Sequence, residues 1–186
     1  MENTMNDGDL IWTEKERREL LKTVVFTVTE RRSLAPDGKS EGRYIVNEAA
    51  DWVIVIPEAG EDFLMVKQWR HGEKALSLEF PGGVIDSGEE AECAARRELM
   101  EETGATAGKL TLLGKMNPNP ALFANHVFVF LAEDLTFTGR QDLDKDEYLN
   151  YMRISKKEVY RGMGSEMYPH ALMTSAMGLY LARKEF

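Results

Sequence analysis

The sequence predicts an α+β fold, with helices packed on a mixed sheet and an N-terminal β-hairpin arm in front of it. Three observations carry that prediction. Short runs rich in branched and aromatic residues fill most of the first half and read as strands. An alanine-rich stretch at 87–104 has helical spacing. Further strand-like runs and two helical stretches then follow each other to the C-terminus, the pattern of helices layered on a sheet. At 186 residues, 43% of them hydrophobic, the chain is long enough for one domain with a sizeable core. We divide it into an N-terminal arm at 1–48 and a main domain at 49–186.

Taken in order, residues 1–9 are expected to be loosely attached, and 12–21 is a charged stretch of undetermined type. Residues 24–30 (Val-Val-Phe-Thr-Val-Thr-Glu) read as a strand. Asp37-Gly38 is a turn signal, so 43–47 is the returning strand of a hairpin. Residues 52–56 form an apolar strand closed by Pro57, 63–70 the next strand, and 77–80 a short one that stops at Pro81-Gly82-Gly83. Ser87 and Glu90 have capping-box spacing, with Ser87 as N-cap. Ala91, Ala94, Ala95 and Leu99 give that helix a thin apolar stripe, and Gly104 ends it. Residues 110–115 and 126–132 read as strands joined by a loop holding Pro118 and Pro120. An acidic loop at 139–146 precedes a last strand at 148–154. Ser155 and Glu158 form a second capping box, and 167–184 is a final amphipathic helix.

The formal net charge of −9 argues against a nucleic-acid surface, which needs a basic stripe. It leaves a small phosphorylated substrate open, because a bound metal ion can reverse the local field. The one cysteine, Cys93, excludes an intrachain disulfide and fits a reducing, cytoplasmic setting. Its place among alanines marks it as a small packing residue. No apolar run approaches the ~20 residues of a membrane span, and the acidic start lacks the features of a signal peptide.

The chemistry concentrates at the end of the alanine-rich helix. Glu98, Glu101 and Glu102 crowd its last turn. Residues three and four apart are neighbours on a helix, so these charges repel, and they stand at the negative end of the helix dipole. At ~6 Å and an effective dielectric of ~20, each pair costs roughly 3 kcal/mol before screening. A divalent metal ion is the simplest charge to offset this. Magnesium takes oxygen ligands and is commonly held by one or two carboxylates plus substrate phosphates.

The cluster belongs to a longer pattern. Gly83 is followed by five residues and Glu89, then by seven residues and Arg97-Glu98-Leu99, then after one residue by Glu101-Glu102-Thr103-Gly104. This resembles the Nudix box, the signature of hydrolases acting on a nucleoside diphosphate linked to another group. One position departs: Ala105 stands where a bulkier aliphatic is usual, a matter of packing. The resemblance implies an α/β/α sandwich with a mixed sheet. It implies Glu98 and Glu102 as direct metal ligands, Glu101 as a ligand or the holder of a metal-bound water, and the Gly82 carbonyl as a further ligand. Magnesium is the implied ion, with manganese as substitute. Glu89 and Arg97 would pair and brace the loop against the helix.

Residues outside the box narrow the branch. Leu78-Glu79-Phe80-Pro81-Gly82-Gly83 resembles the lead-in of ADP-ribose and nucleoside-diphosphate-sugar pyrophosphatases, with Gly82 replacing the commoner alanine. Val66-Lys67-Gln68-Trp69-Arg70 resembles a strand of that branch whose arginine contacts the substrate diphosphate. Pro120, fifteen residues after Ala105, stands where that branch carries a marker proline. Its context, Asn119-Pro120-Ala121-Leu122-Phe123, departs from the usual one and leaves room for sugars such as GDP-mannose beside ADP-ribose. Arg70, Glu79, Pro120 and Trp12 are therefore the candidate substrate contacts, with Trp69 and Phe123 as further aromatics. By the family habit Glu147 is the candidate general base, with Asp144, Asp146, or Glu101 or Glu102 as alternatives. The arm at 1–48 fits the branch's dimeric arrangement. The resulting expectation is a homodimeric hydrolase of nucleotide sugars, with no nucleic acid or membrane partner. Hydrolysis of nucleoside triphosphates or dinucleotides, or nucleotide sensing without turnover, are the alternatives.

Overall fold

A computed structural model describes residues 6–145 and 147–185; the expectations for residues 1–5 and for Asp146 fall outside that range. The chain forms two compact units, Met1–Ala50 with Asn117–Asn125, and Asp51–Met116 with His126–Phe186.

The first unit opens with a single exposed 3-10 turn at Asp7–Leu10. Strands β1 (Thr13–Lys22), β2 (Phe26–Leu34) and β3 (Glu41–Ala49) then form an antiparallel sheet in that order. The charged stretch at 12–21 is thus a strand. All ten residues of β1 are exposed, so it lacks the alternation of apolar and polar residues that betrays a half-buried strand. Charge pairs across the sheet take its place: Glu48 accepts from Arg17 at 2.9 Å and from Arg31 at 2.8 Å. The β2–β3 turn forms as expected, with Asp37 accepting the N–H groups of Lys39 and Ser40. The loop 117–125 bonds to β3, the N–H of Asn47 donating to Leu122 O at 2.7 Å.

The second unit is a helix–sheet–helix sandwich. Its strands are β4 (Trp52–Ala59), β5 (Asp62–Arg70), β6 (Ala75–Glu79), β7 (Ala105–Met116), β8 (Val127–Phe137) and β9 (Leu149–Ser155). The order is β6-β5-β4-β8-β7, with β9 on the other side of β5. Strands β4 and β8 are parallel and the remaining pairs antiparallel, so the sheet is mixed. Along β4, Val53 and Val55 face helix α1 (Ala91–Thr103), packing with Ala94, Ala95 and Leu99. Ile54 and Ile56 join the opposite layer, built on α2 (Lys156–Gly162) and α3 (Ala171–Glu185) through Val159, Met173, Ala176 and Tyr180. A strand covered on both faces reads as a continuous apolar run, which is what 52–56 is. The run does not stop at Pro57. Pro57 is the last β4 residue in register with β8, and Glu58 is the first paired to β5, so the strand changes partner there without a break.

Several local expectations are corrected. Helix α1 begins at Ala91, with Glu90 at the cap position and no side-chain cap, so Ser87 caps nothing. Gly88, at φ 84°, holds the preceding residues in a turn that no helix can include. Cys93 is exposed, because Ala94 and Ala95 are the residues turned to the sheet. Strands β7 and β8 extend well beyond the apolar runs that marked them. Helix α3 begins at Ala171, after Pro169. Gly104 ends α1 in the left-handed conformation as expected, and Ser155 caps α2 by accepting the N–H of Glu158 at 3.2 Å. No helix among the described residues is long and apolar enough to cross a membrane.

Candidate active site

Residues 81–85 lie along the free edge of β4 as a strap. The N–H groups of Val53 and Val55 donate to Gly83 O (2.9 Å) and Pro81 O (2.8 Å), and the N–H of Ile85 donates to Asp51 O (2.9 Å). With the strap in this conformation, glycine at 82 makes room for the β4 backbone and glycine at 83 makes room for the end of a flexible side chain on α1. A Cβ on Gly82 would stand 2.1 Å from the Val53 carbonyl oxygen, and one on Gly83 would stand 2.4 Å from a Glu98 carboxylate oxygen. The strap thereby faces the last turns of α1. The N–H of Gly82 donates to Glu102 Oε2 at 2.9 Å.

Arg97 ties the turn to the strap. It holds Glu89 through two hydrogen bonds, Nε to Oε1 at 3.1 Å and Nη2 to Oε2 at 2.9 Å, and its Nη2 also reaches Val84 O at 3.0 Å. Its Nη1 donates to Glu98 at 2.8 Å and Glu101 at 3.1 Å. These carboxylates, Glu89 first, hold the guanidinium in its charged form. The bracing pair expected from sequence is present, and the same arginine also offsets part of the carboxylate crowding.

Glu98 and Glu102 are both buried. Burial pushes the Glu98 carboxyl up to about 7 against the pull of Arg97, and the Glu102 carboxyl up to about 8 against the Gly82 N–H. The mutual repulsion of Glu98 and Glu102, and the nearby Glu147, add to the Glu102 shift. Among the described residues no three acidic, histidine or cysteine side chains already stand together as a ligand set. The donor chemistry nevertheless fits a hard divalent cation. Two carboxylates are buried where their charge is penalised, and a hard divalent cation would relieve that penalty.

These groups line one cavity of about 470 Å³, in the size range of small-molecule sites. Of the residues expected from sequence, Arg70, Glu79, Gly82, Arg97, Glu98, Glu101, Glu102 and Glu147 line it, and so does Asp144. Glu79, almost wholly buried, accepts from Arg70 Nε at 2.7 Å and from Nη2 at 2.5 Å. Burial works to raise the Glu79 carboxyl, and the bonds from Arg70 outweigh it, leaving the group below its usual range. Glu147 Oε2 accepts the N–H of Asp144 at 3.2 Å. Trp12 and Pro120 belong to the first unit, where Trp12 makes an edge contact with Tyr44 at 5.6 Å. Trp69 is half exposed, and Phe123 also belongs to the first unit.

Sequence reasoning missed Trp52, Gln68, Asp86, His170 and Met173, all of which line the cavity. A histidine just after a proline and ahead of an apolar helix was the only sign of His170.

A family model described as a NUDIX domain matches residues 46–169. The ADP-ribose pyrophosphatase of Bacillus subtilis is 37% identical over 128 residues, which are 68% of this chain and 69% of that protein. The ADP compounds hydrolase NudE of Escherichia coli is 34% identical over 83 residues, 45% of each chain. The crystal structure of an ADP compounds hydrolase superposes with a TM-score of 0.78 at 25% identity, covering 93% of this chain and 92% of the other.

Proposed function

This chain belongs to the Nudix family of hydrolases, and from that premise we propose that it splits the diphosphate of nucleoside diphosphate sugars, ADP-ribose or GDP-mannose among them, into a nucleoside monophosphate and a sugar phosphate. One observation carries the reading. The buried, mutually repelling carboxylates Glu98 and Glu102 share a cavity with Arg70, a cation suited to a phosphate. The names of the relatives support ADP-ribose as a substrate: an ADP-ribose pyrophosphatase from Bacillus subtilis and an ADP-sugar pyrophosphatase from mouse.

Hydrolases of this family depend on divalent metal ions, and we assign magnesium, with manganese as substitute, to Glu98, Glu101, Glu102 and the Gly82 carbonyl. When bound, the ion neutralises the diphosphate and makes a water molecule more acidic. The chain's own residues do the rest. Glu147 takes the proton of the attacking water, with Asp144, Glu101 or Glu102 as the other candidate bases. Arg70, oriented by Glu79, contacts the diphosphate. Arg97 and Glu89 keep the strap at a fixed distance from the helix. We further assign Pro120 to substrate contact, and Trp12 to the same role from the arm of a homodimer. Residues 1–48 form that arm and 49–186 the catalytic domain. Exposed Leu20, Leu21, Val24 and Ile45 of the first unit support such a dimer, and the single exposed cysteine supports a reducing, cytoplasmic setting.

The test is a substrate panel with magnesium: ADP-ribose, GDP-mannose, UDP-glucose and dGTP, with products identified. Turnover of at least one nucleotide sugar to monophosphate and sugar phosphate is expected. Release of pyrophosphate from dGTP alone would replace this reading with that of a triphosphate hydrolase.

A further inference from the structure

The acid cavity adjoins a second cavity of about 460 Å³, and the two share Trp52, Arg70 and His170 as wall residues. The second differs in character. None of the helix carboxylates lines it, and the Trp69 indole and Pro169 do. A nucleotide sugar has a charged centre and two unlike ends. The carboxylate cavity suits the centre, and an aromatic recess beside it suits the flat face of a base better than a polyhydroxylated sugar.

His170 stands at the junction, and its orientation is fixed from one side. It precedes α3, with its carbonyl accepting the N–H of Met173 at 3.0 Å and its Nδ1 accepting the N–H of Leu172 at 3.2 Å. A ring nitrogen that accepts carries no hydrogen, so in the neutral ring the proton lies on Nε2. Burial keeps the ring neutral by lowering its pKa; Glu79 pulls the other way and Arg70 adds to the lowering. The imidazole therefore retains one donor, Nε2–H, and among the described residues none accepts from it.

We propose that His170 is a substrate-binding residue whose Nε2–H donates to the nucleoside monophosphate half of the substrate, where that half passes from the acid cavity into the recess lined by Trp52 and Trp69. The proposal rests on the nucleotide-sugar reading above. Its competitor is a purely structural role, in which the ring only caps α3.

Two substitutions separate these roles. In His170→Asn the amide oxygen replaces Nδ1 as the cap acceptor, but the side chain is too short to present a donor where Nε2 stood. In His170→Gln the amide nitrogen reaches the Nε2 position. A hydrogen bond to a charged phosphate changes affinity by about 10-fold or more. His170→Asn is therefore expected to raise the KM for ADP-ribose about 10-fold with kcat little changed and Tm held, and His170→Gln to recover most of the loss. Calorimetry with AMP and with ribose 5-phosphate, in magnesium, reads the two ends separately. AMP should weaken about 10-fold in His170→Asn, and ribose 5-phosphate should not. An unchanged KM and AMP affinity in His170→Asn would overturn the proposal, as would weakening of ribose 5-phosphate alone. A fall in Tm that tracks the loss in both variants would assign His170 to capping only. Calorimetry needs no turnover, so an inactive wild type whose AMP affinity still drops in His170→Asn would sink the hydrolase reading and leave the contact standing.

Discussion

Glu98 and Glu102 are carboxylates whose ionised form is penalised by burial, and on the proposed reading this property suits them to hold a cation. A carboxylate in the open pays little to stay charged and gains little from a cation; these two gain much. Glu98→Gln keeps the shape and removes the charge. It is expected to lower kcat by ~2–4 orders of magnitude, corresponding to several kcal/mol of transition-state stabilisation, as measured by steady-state hydrolysis of ADP-ribose. A rate within a few-fold of wild type would remove Glu98 from the site. The glycines beside it make a second, sharper comparison. The Cβ of Gly82→Ala would meet the backbone carbonyl of Val53, which cannot move without breaking the strap from β4. The Cβ of Gly83→Ala would meet only the far end of the Glu98 side chain, which can swing away. Gly82→Ala should thus lower Tm markedly. Gly83→Ala should keep a near-native Tm and lose metal affinity, both checked by melts and by magnesium titration of activity. Equal effects of the two substitutions on Tm would contradict this account.

At the scale of elements, the site is one strap and one helix held together by Arg97. The pair with Glu89 lies partly exposed, so it adds at most about 1 kcal/mol to stability. Its effect is on position. Glu89→Gln should lower magnesium affinity about 10–100-fold, the usual cost of losing a partner that orients a ligand, with Tm nearly unchanged. Magnesium titration of the initial rate measures it, and an unaltered titration curve would show that the strap holds its place without the pair. The strap and helix were legible in the sequence because Gly83, Glu89, Arg97, Glu98, Glu101 and Glu102 stand at the spacing of the Nudix box and could be read one by one against it. The start of the helix was not. Ser87 and Glu90 have the spacing of a capping box, but the Glu89 carboxylate turns back to the N–H of Asp86 at 3.1 Å and to Arg97, and Gly88 sits in the left-handed region, so the helix waits until Ala91. Likewise β1 escaped notice because a strand exposed along its whole length has no buried face to leave a period in the sequence. His170 escaped because its neighbours Trp52 and Arg70 come from β4 and β5, and only the folded sheet brings them to the start of α3.

At the scale of the whole molecule, the buried carboxylates couple folding to pH and, on the proposed reading, to metal. In the metal-free protein Glu98 and Glu102 titrate near 7 and 8, against an ordinary value of 4.5. Between 4.5 and about 8 the folded state therefore binds protons that the unfolded state has released. Stability falls as pH rises wherever the folded state holds more protons, so the metal-free protein is expected to lose Tm through this window. Glu79 does not reverse the trend, because its carboxyl is held below 4.5 and its contribution is lost only at more acid pH. A divalent cation binds the ionised carboxylates of the folded state alone. It should raise Tm strongly at about pH 8 and weakly at about pH 5, where protons already occupy the same oxygens. Thermal melts at the two pH values, with chelator and with magnesium, read the effect directly. An equal rise in Tm at both values would mean that the ion binds elsewhere, on groups already ionised at pH 5. A rise confined to the higher pH in wild type, and abolished in Glu98→Gln, would place the ion on the carboxylates of α1 without any measurement of turnover.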